Sequence, residues 1–229
     1  NTCPTPFATP TAAATAVIGA APATIKFGDV DATGTSTAHK LTITNKSAVT
    51  ASIGQITVRG PFAISGPDAC SEASLLPKKP CSVELVFTPP VPTALATGSV
   101  SIQYNGLSPA VALEGTGIAV VLTAPKSESF PATAAGSSSA AKTIDISNPS
   151  AVAVTMGTAV IAGAYGSSGT DSCSGQTLAA KKGKCEVGVK FEPAAMTAPK
   201  TAEAGSLTIP FTYGANDGQV VVKLNGVVK

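Results

Sequence analysis

Two stretches of this chain end in the same way. "GPFAISGPDAC" closes at Cys70, and "GAYGSSGTDSC" closes at Cys173, 103 positions later. Each sets an aromatic two residues after a glycine, then a Gly-x-Asp-x-Cys run. The echo extends well beyond the cysteine. At the same offset Pro22 falls on Pro125, Phe27 on Phe130, "NKSAV" from Asn45 on "NPSAV" from Asn148, and Lys78 and Lys79 on Lys181 and Lys182. One inserted residue then aligns "CSVELVFTP" from Cys81 with "CEVGVKFEP" from Cys185, and a further shift aligns "GSVSI" from Gly98 with "GSLTI" from Gly205. The insertions fall in Pro- and Ala-rich loops, where added length costs little. Self-similarity at one spacing, interrupted only in loops, is the mark of a duplicated folding unit. The reading is a tail over residues 1–13, one unit over 14–117 and a second over 118–229, joined near residues 115–119.

The matched segments alternate with a period of two. "HKLTITN" sets Leu41 and Ile43 on one face, "KTIDISN" sets Ile144 and Ile146, "CSVELVF" sets Val83, Leu85 and Phe87, and "CEVGVKF" sets Val187, Val189 and Phe191. Turn residues punctuate the first unit at Gly34, Asn45, Gly60, Pro89, Asn105 and Gly115. No stretch sustains a helical period. Short alternating strands with such punctuation predict an all-β chain of two tandem β-sandwiches. Their cores must be filled by small and β-branched side chains, since 44% of residues are apolar but only 4% are aromatic, with no Trp.

The five cysteines divide four and one. In each unit one Cys ends a loop after an aromatic, and the other opens a strong strand. Repeated placement at equivalent positions predicts local disulfides, Cys70 with Cys81 and Cys173 with Cys185. Zinc is the competing reading, but no Cys-x-x-Cys pair occurs, and His39 is the only histidine. Disulfides persist in oxidising compartments, so the expected location is extracellular or at the cell surface, with the periplasm a further option. The chain opens at Asn1 with no basic and apolar leader, which reads as a processed mature product. No apolar run is long enough for a membrane-spanning helix.

The frame formed by Phe27-Gly-x-Val30, Asn45, Gly60-x-Phe62, the cysteine pair, Phe87-x-Pro89 and Leu113-x-Gly115-x-Gly117 resembles the bacterial immunoglobulin-like domains of the ASPM/SPD-2/hydin (ASH) type. Such domains often occur in secreted, choice-of-anchor D-like proteins. The second unit follows the pattern through Phe191-x-Pro193 but ends "LNGVVK", without the second glycine. The resemblance implies an immunoglobulin-like topology and a role in interaction or scaffolding, not one chemistry.

Enzymatic machinery is not expected. His39 has no nucleophile or orienting carboxylate near it in sequence and reads as a strand residue at the surface. The acids Asp29, Asp31, Asp68, Glu72, Glu84 and Glu114 are scattered, and no calcium-loop pattern exists. Asp68 and Asp171, each two residues before a cysteine, read as turn-capping side chains. The Asn45-Lys-Ser sequon has proline in its duplicate, so both asparagines read as strand-ending turns. Asn105 with Gly106 and Asn225 with Gly226 read as hairpin turns. No cofactor, metal or nucleic-acid site is expected. The net charge is only +2, and the lysine pairs are too sparse for a nucleic-acid footprint.

Charged residues are 12% of the chain, about half the usual share. Such a surface suits burial against copies of itself, so the leading expectation is a homo-oligomeric or polymeric structural protein: a surface filament or matrix subunit. The tail, with the odd Cys3 and Phe7, is expected to contact a neighbouring copy. The alternatives are a monomeric module for a surface protein or glycan, for which three Tyr and no Trp offer little stacking surface, and a two-domain periplasmic chaperone.

Overall fold

The computed structural model describes residues 15–229, which are all-β, with no helix among them. The expected tail contact through Cys3 and Phe7 lies outside the described residues. The chain divides into two compact units, the first holding Ser36–Phe87 and Leu95–Gly115, the second Thr116–Lys229. Two segments expected in the first unit, Asp29–Thr35 and Thr88–Ala94, are grouped with the second.

In the first unit a four-stranded antiparallel sheet runs β1 (Ile18–Ala21), β3 (His39–Asn45), β7 (Pro80–Phe87), β5 (Phe62–Ser65). A five-stranded sheet runs β2 (Thr24–Asp31), β9 (Ala110–Ile118), β8 (Thr93–Tyr104), β4 (Ala51–Arg59), β6 (Ser74–Leu75). Leu41 and Ile43 of β3 and Val83, Leu85 and Phe87 of β7 are buried, as are Val100 and Ile102 of β8 and Val111 and Leu113 of β9. Phe27 of the five-stranded sheet meets Phe62 and Phe87 of the other at ring-centroid distances of 5.2 and 6.0 Å. Rings from both sheets therefore share one core, and burying each stabilises by about 1.5–3 kcal/mol.

The second unit has a three-stranded sheet, β11 (Lys142–Ser147), β16 (Lys184–Phe191), β14 (Tyr165–Asp171). Its six-stranded sheet runs β10 (Ser127–Ser129), β18 (Asn216–Val227), β17 (Ala202–Tyr213), β12 (Val154–Met156), β15 (Thr177–Leu178), with β13 (Val160–Ala162) also on β17. Ile144, Val187, Phe191, Leu207, Val222 and Leu224 from the two sheets belong to one buried cluster.

Asn45 ends β3 as its position suggests, and it is fully buried. Its amide donates to the carbonyls of Val49 and Leu75, and its oxygen accepts from the Ser47 N–H and hydroxyl. Asn148 repeats the arrangement with Val152, Leu178 and Ser150. The folded chain thus offers no free amide at the Asn45 sequon.

Two expectations need correction. Asn105 and Gly106 do form a two-residue hairpin turn, with φ of 47° and 72°. Asn225 and Gly226 do not; they lie inside β18, paired with Ala204 and Glu203 of β17. Gly226 is there because the ring of Phe191 leaves no room for a side chain. His39 is not a bare surface residue. Its ring is half-buried, with its centroid 4.8 Å from that of Phe27.

Candidate functional site

The loop after β5 is braced at several points. Cys70 and Cys81 form a disulfide with Cα atoms 5.5 Å apart, and Cys173 and Cys185 form the corresponding one at 5.0 Å. Asp68 accepts hydrogen bonds from the Cys70 N–H, the Ser71 N–H and the Ser71 hydroxyl. Burial pushes its carboxyl up, but these donors outweigh that and hold it below the ordinary 3.8. Asp171 is held below its ordinary value in the same way by Ser174 and Cys173. Ser71 Oγ also accepts from the Ile56 N–H, tying the loop to β4.

This brace fixes Glu72. Its backbone N–H donates to the Gly54 carbonyl at 3.2 Å, and the Ile53 N–H donates to Ala73. Register slips between Ile53 and Ile56, so β4 bulges where it passes the loop. Bulges re-aim side chains and are common beside functional sites. Glu72 itself has φ of 59°, a left-handed conformation costing a side-chain-bearing residue roughly 1–2 kcal/mol. The equivalent residue of the second unit is Gly175, at φ 73° and free of that penalty.

The bulge, the Glu72 loop and the hairpin at Asn105 enclose an open cleft of about 490 Å³. Its lining includes Ser52, Glu72, Gln103, Tyr104, Asn105 and Ser108. Among the described residues the Glu72 carboxylate makes no ion pair. Asn105 donates its amide to the Ala16 carbonyl at 3.4 Å.

The second unit presents a different surface. Alternation along β17 and β18 turns Leu207, Ile209, Val220 and Val222 inward. The outer face carries Val160, Thr208 and Val221 in one cross-strand row, with Ala162, Ser206 and Lys223 in the next. Val160 and Val221 are 56% and 47% exposed. Lys223 and Asp217 are the charged side chains that β13, β17 and β18 place on this face. On the opposite side Tyr165 donates its hydroxyl to the Glu203 carbonyl at 2.7 Å, and burial together with the Glu203 charge pushes its pKa up to about 12.

Among the described residues no cluster of three or more His, Cys, Asp or Glu side chains could hold a metal ion. No helix among them is long and apolar enough to cross a membrane. No protein-family model and no curated protein matches the chain. A protein of unknown function from Porphyromonas gingivalis W83 is similar in structure at 11% identity and TM-score 0.38, over 90% of this chain and 98% of that one. The VesB protease of Vibrio cholerae is similar at 16% identity and TM-score 0.37, over 46% of this chain and 31% of that one. The periplasmic chaperone SfaE is similar at 13% identity and TM-score 0.33, over 93% of this chain and 100% of that one. At these TM-scores none of the likenesses carries an argument about function.

The sequence reading counted Glu72 among scattered acids and gave the Asn105 turn no role. The signal that could have found the cleft is the exchange of Glu72 for Gly175 between units. An acid standing where its duplicate has glycine marks a position whose backbone wants no side chain.

Proposed function

We propose that this chain is an exported, non-catalytic structural protein built of two immunoglobulin-like sandwiches of the ASH type, over residues 14–117 and 118–229. It assembles with copies of itself into a cell-surface or extracellular filament or matrix. The observation that carries the reading is the outer face of the six-stranded sheet. An exposed β-sheet face normally carries interspersed charges. This one presents Val160 and Val221 across Thr208, with Lys223 and Asp217 as the charges that β13, β17 and β18 place on it, so a second copy can cover the valine row with little charge desolvation. Two disulfides suit an oxidising location. The tail, through Cys3 and Phe7, supplies a second contact to a neighbouring copy.

Light scattering of the full chain over a concentration series, with electron microscopy of the same samples, tests the proposal. Assemblies larger than one copy are expected, and Val221→Glu should return them to monomers without touching the core. A wild-type chain that stays monomeric throughout overturns self-assembly. Assembly that survives Val221→Glu but is lost on removing residues 1–13 overturns the sheet face and leaves the tail as the contact.

A further inference from the structure

The cleft of the first unit is a second, separate feature, and the duplicate acts as an internal control for it. The second unit has a disulfide, an Asp171–Ser174 turn and a Ser174 hydroxyl accepting from the Ala159 N–H just before β13, all counterparts of the first. Yet where the first unit has Glu72 and Gln103, the second has Gly175 and Pro210. Pro210 lies over Gly157 as Gln103 lies over Gly54, so the positions are equivalent in space as well as in sequence. The same local framework therefore forms without the polar set, and the polar set is not there to make the framework. Glu72 is held in a conformation that its duplicate reserves for glycine. Strain of this kind at a cleft points to a functional demand on the side chain.

We propose that this cleft binds a carbohydrate, a neutral oligosaccharide lying across Glu72, Gln103 and Asn105. The lining matches what a polyhydroxylated ligand requires. The Glu72 carboxylate accepts hydrogen bonds, the Gln103 amide both donates and accepts, and the Ser52 and Ser108 hydroxyls do both. Asn105 keeps an acceptor oxygen while its amide is held by Ala16. The single carboxylate among neutral groups disfavours an anionic ligand. The disulfide, the Asp68 turn, the bulge and the tight hairpin hold these groups before any ligand arrives, which lowers the ordering cost of binding.

The test uses the isotopically labelled full chain, titrated by NMR with cellotetraose, maltotetraose and chitotetraose. At least one should shift the backbone amides of Glu72 and of residues 103–108. Glu72→Gly installs the duplicate's residue, relieves the left-handed backbone and should raise the unfolding midpoint. It should also weaken that sugar at least tenfold, and Gln103→Ala should weaken it as well. The proposal is overturned if no oligosaccharide shifts these amides, or if Glu72→Gly binds as the wild type does. It is also overturned if tetralysine shifts the same amides while the sugars do not, since the cleft would then take a cationic peptide.

Discussion

Gly115 lies against the ring of Phe87 so closely that a Cβ on the glycine would come within 2.6 Å of two ring carbons. Gly226 stands in the same relation to Phe191, where a Cβ would come within 2.8 Å of the ring. Both rings are fully buried and cannot swing aside. Gly115→Ala and Gly226→Ala should each cost about 1–3 kcal/mol, the range for overpacking a filled core. Urea unfolding measures this, and an unchanged midpoint in both variants would contradict the close approach.

Asn45 satisfies two carbonyls and a hydroxyl at once, in a fully buried position. Asn45→Ala leaves those groups without partners where water does not reach, at a cost of about 1–3 kcal/mol. Asn148→Ala should behave alike. Asn45→Asp should be no milder, because a carboxylate cannot donate to Val49 and Leu75. Denaturant midpoints of the three variants decide the matter.

Replacing Cys70 and Cys81 together by serine should lower stability by roughly 2–3 kcal/mol, as expected for opening a loop of this length. The same change at Cys173 and Cys185 should cost a similar amount. The two losses should add, because the pairs share no partner. Calorimetry of both double variants and the quadruple variant checks the additivity, and a first pair without effect would argue against its role as a brace for the Glu72 loop.

The strands that carry the core were readable because a period of two is a local signal. Leu41 with Ile43, and Val83 with Leu85 and Phe87, needed no tertiary information. The cysteine pairs were readable because the repeat placed them twice. Asn225 with Gly226 was misread because an Asn-Gly pair has one local propensity, and what excludes a turn there is the Phe191 ring packed against it. β6 and β15, at two residues each, are too short to show any period. The cleft was missed because its lining comes from three separate segments, and the left-handed backbone at Glu72 shows in the sequence only when that residue is set beside its counterpart Gly175.

The last expectation concerns acid. Burial raises the carboxyls of Asp68 and Asp171, but the Ser71 and Ser174 hydroxyls and the neighbouring N–H groups outweigh it, so both end below 3.8. A lowered native value means that the unfolded chain binds the proton more tightly than the folded one. The resulting stabilisation is complete above the unfolded value, about pH 3.9 for an aspartate, and is lost as pH falls through the native value. Between about pH 7 and pH 5 these groups should therefore add no slope to the stability, and their contribution should decline only below about pH 4. Both side chains are largely exposed, so solvent screens the effect and each contributes modestly. Asp68→Asn with Asp171→Asn removes the titrating groups, while Ser71→Ala with Ser174→Ala removes the hydroxyl donors that lower them. Thermal unfolding from neutral pH into acid should show a steeper fall in Tm for the wild type than for either double variant. Parallel curves for all three would mean that the two turns hold their aspartates no more tightly in the native chain than in the unfolded one.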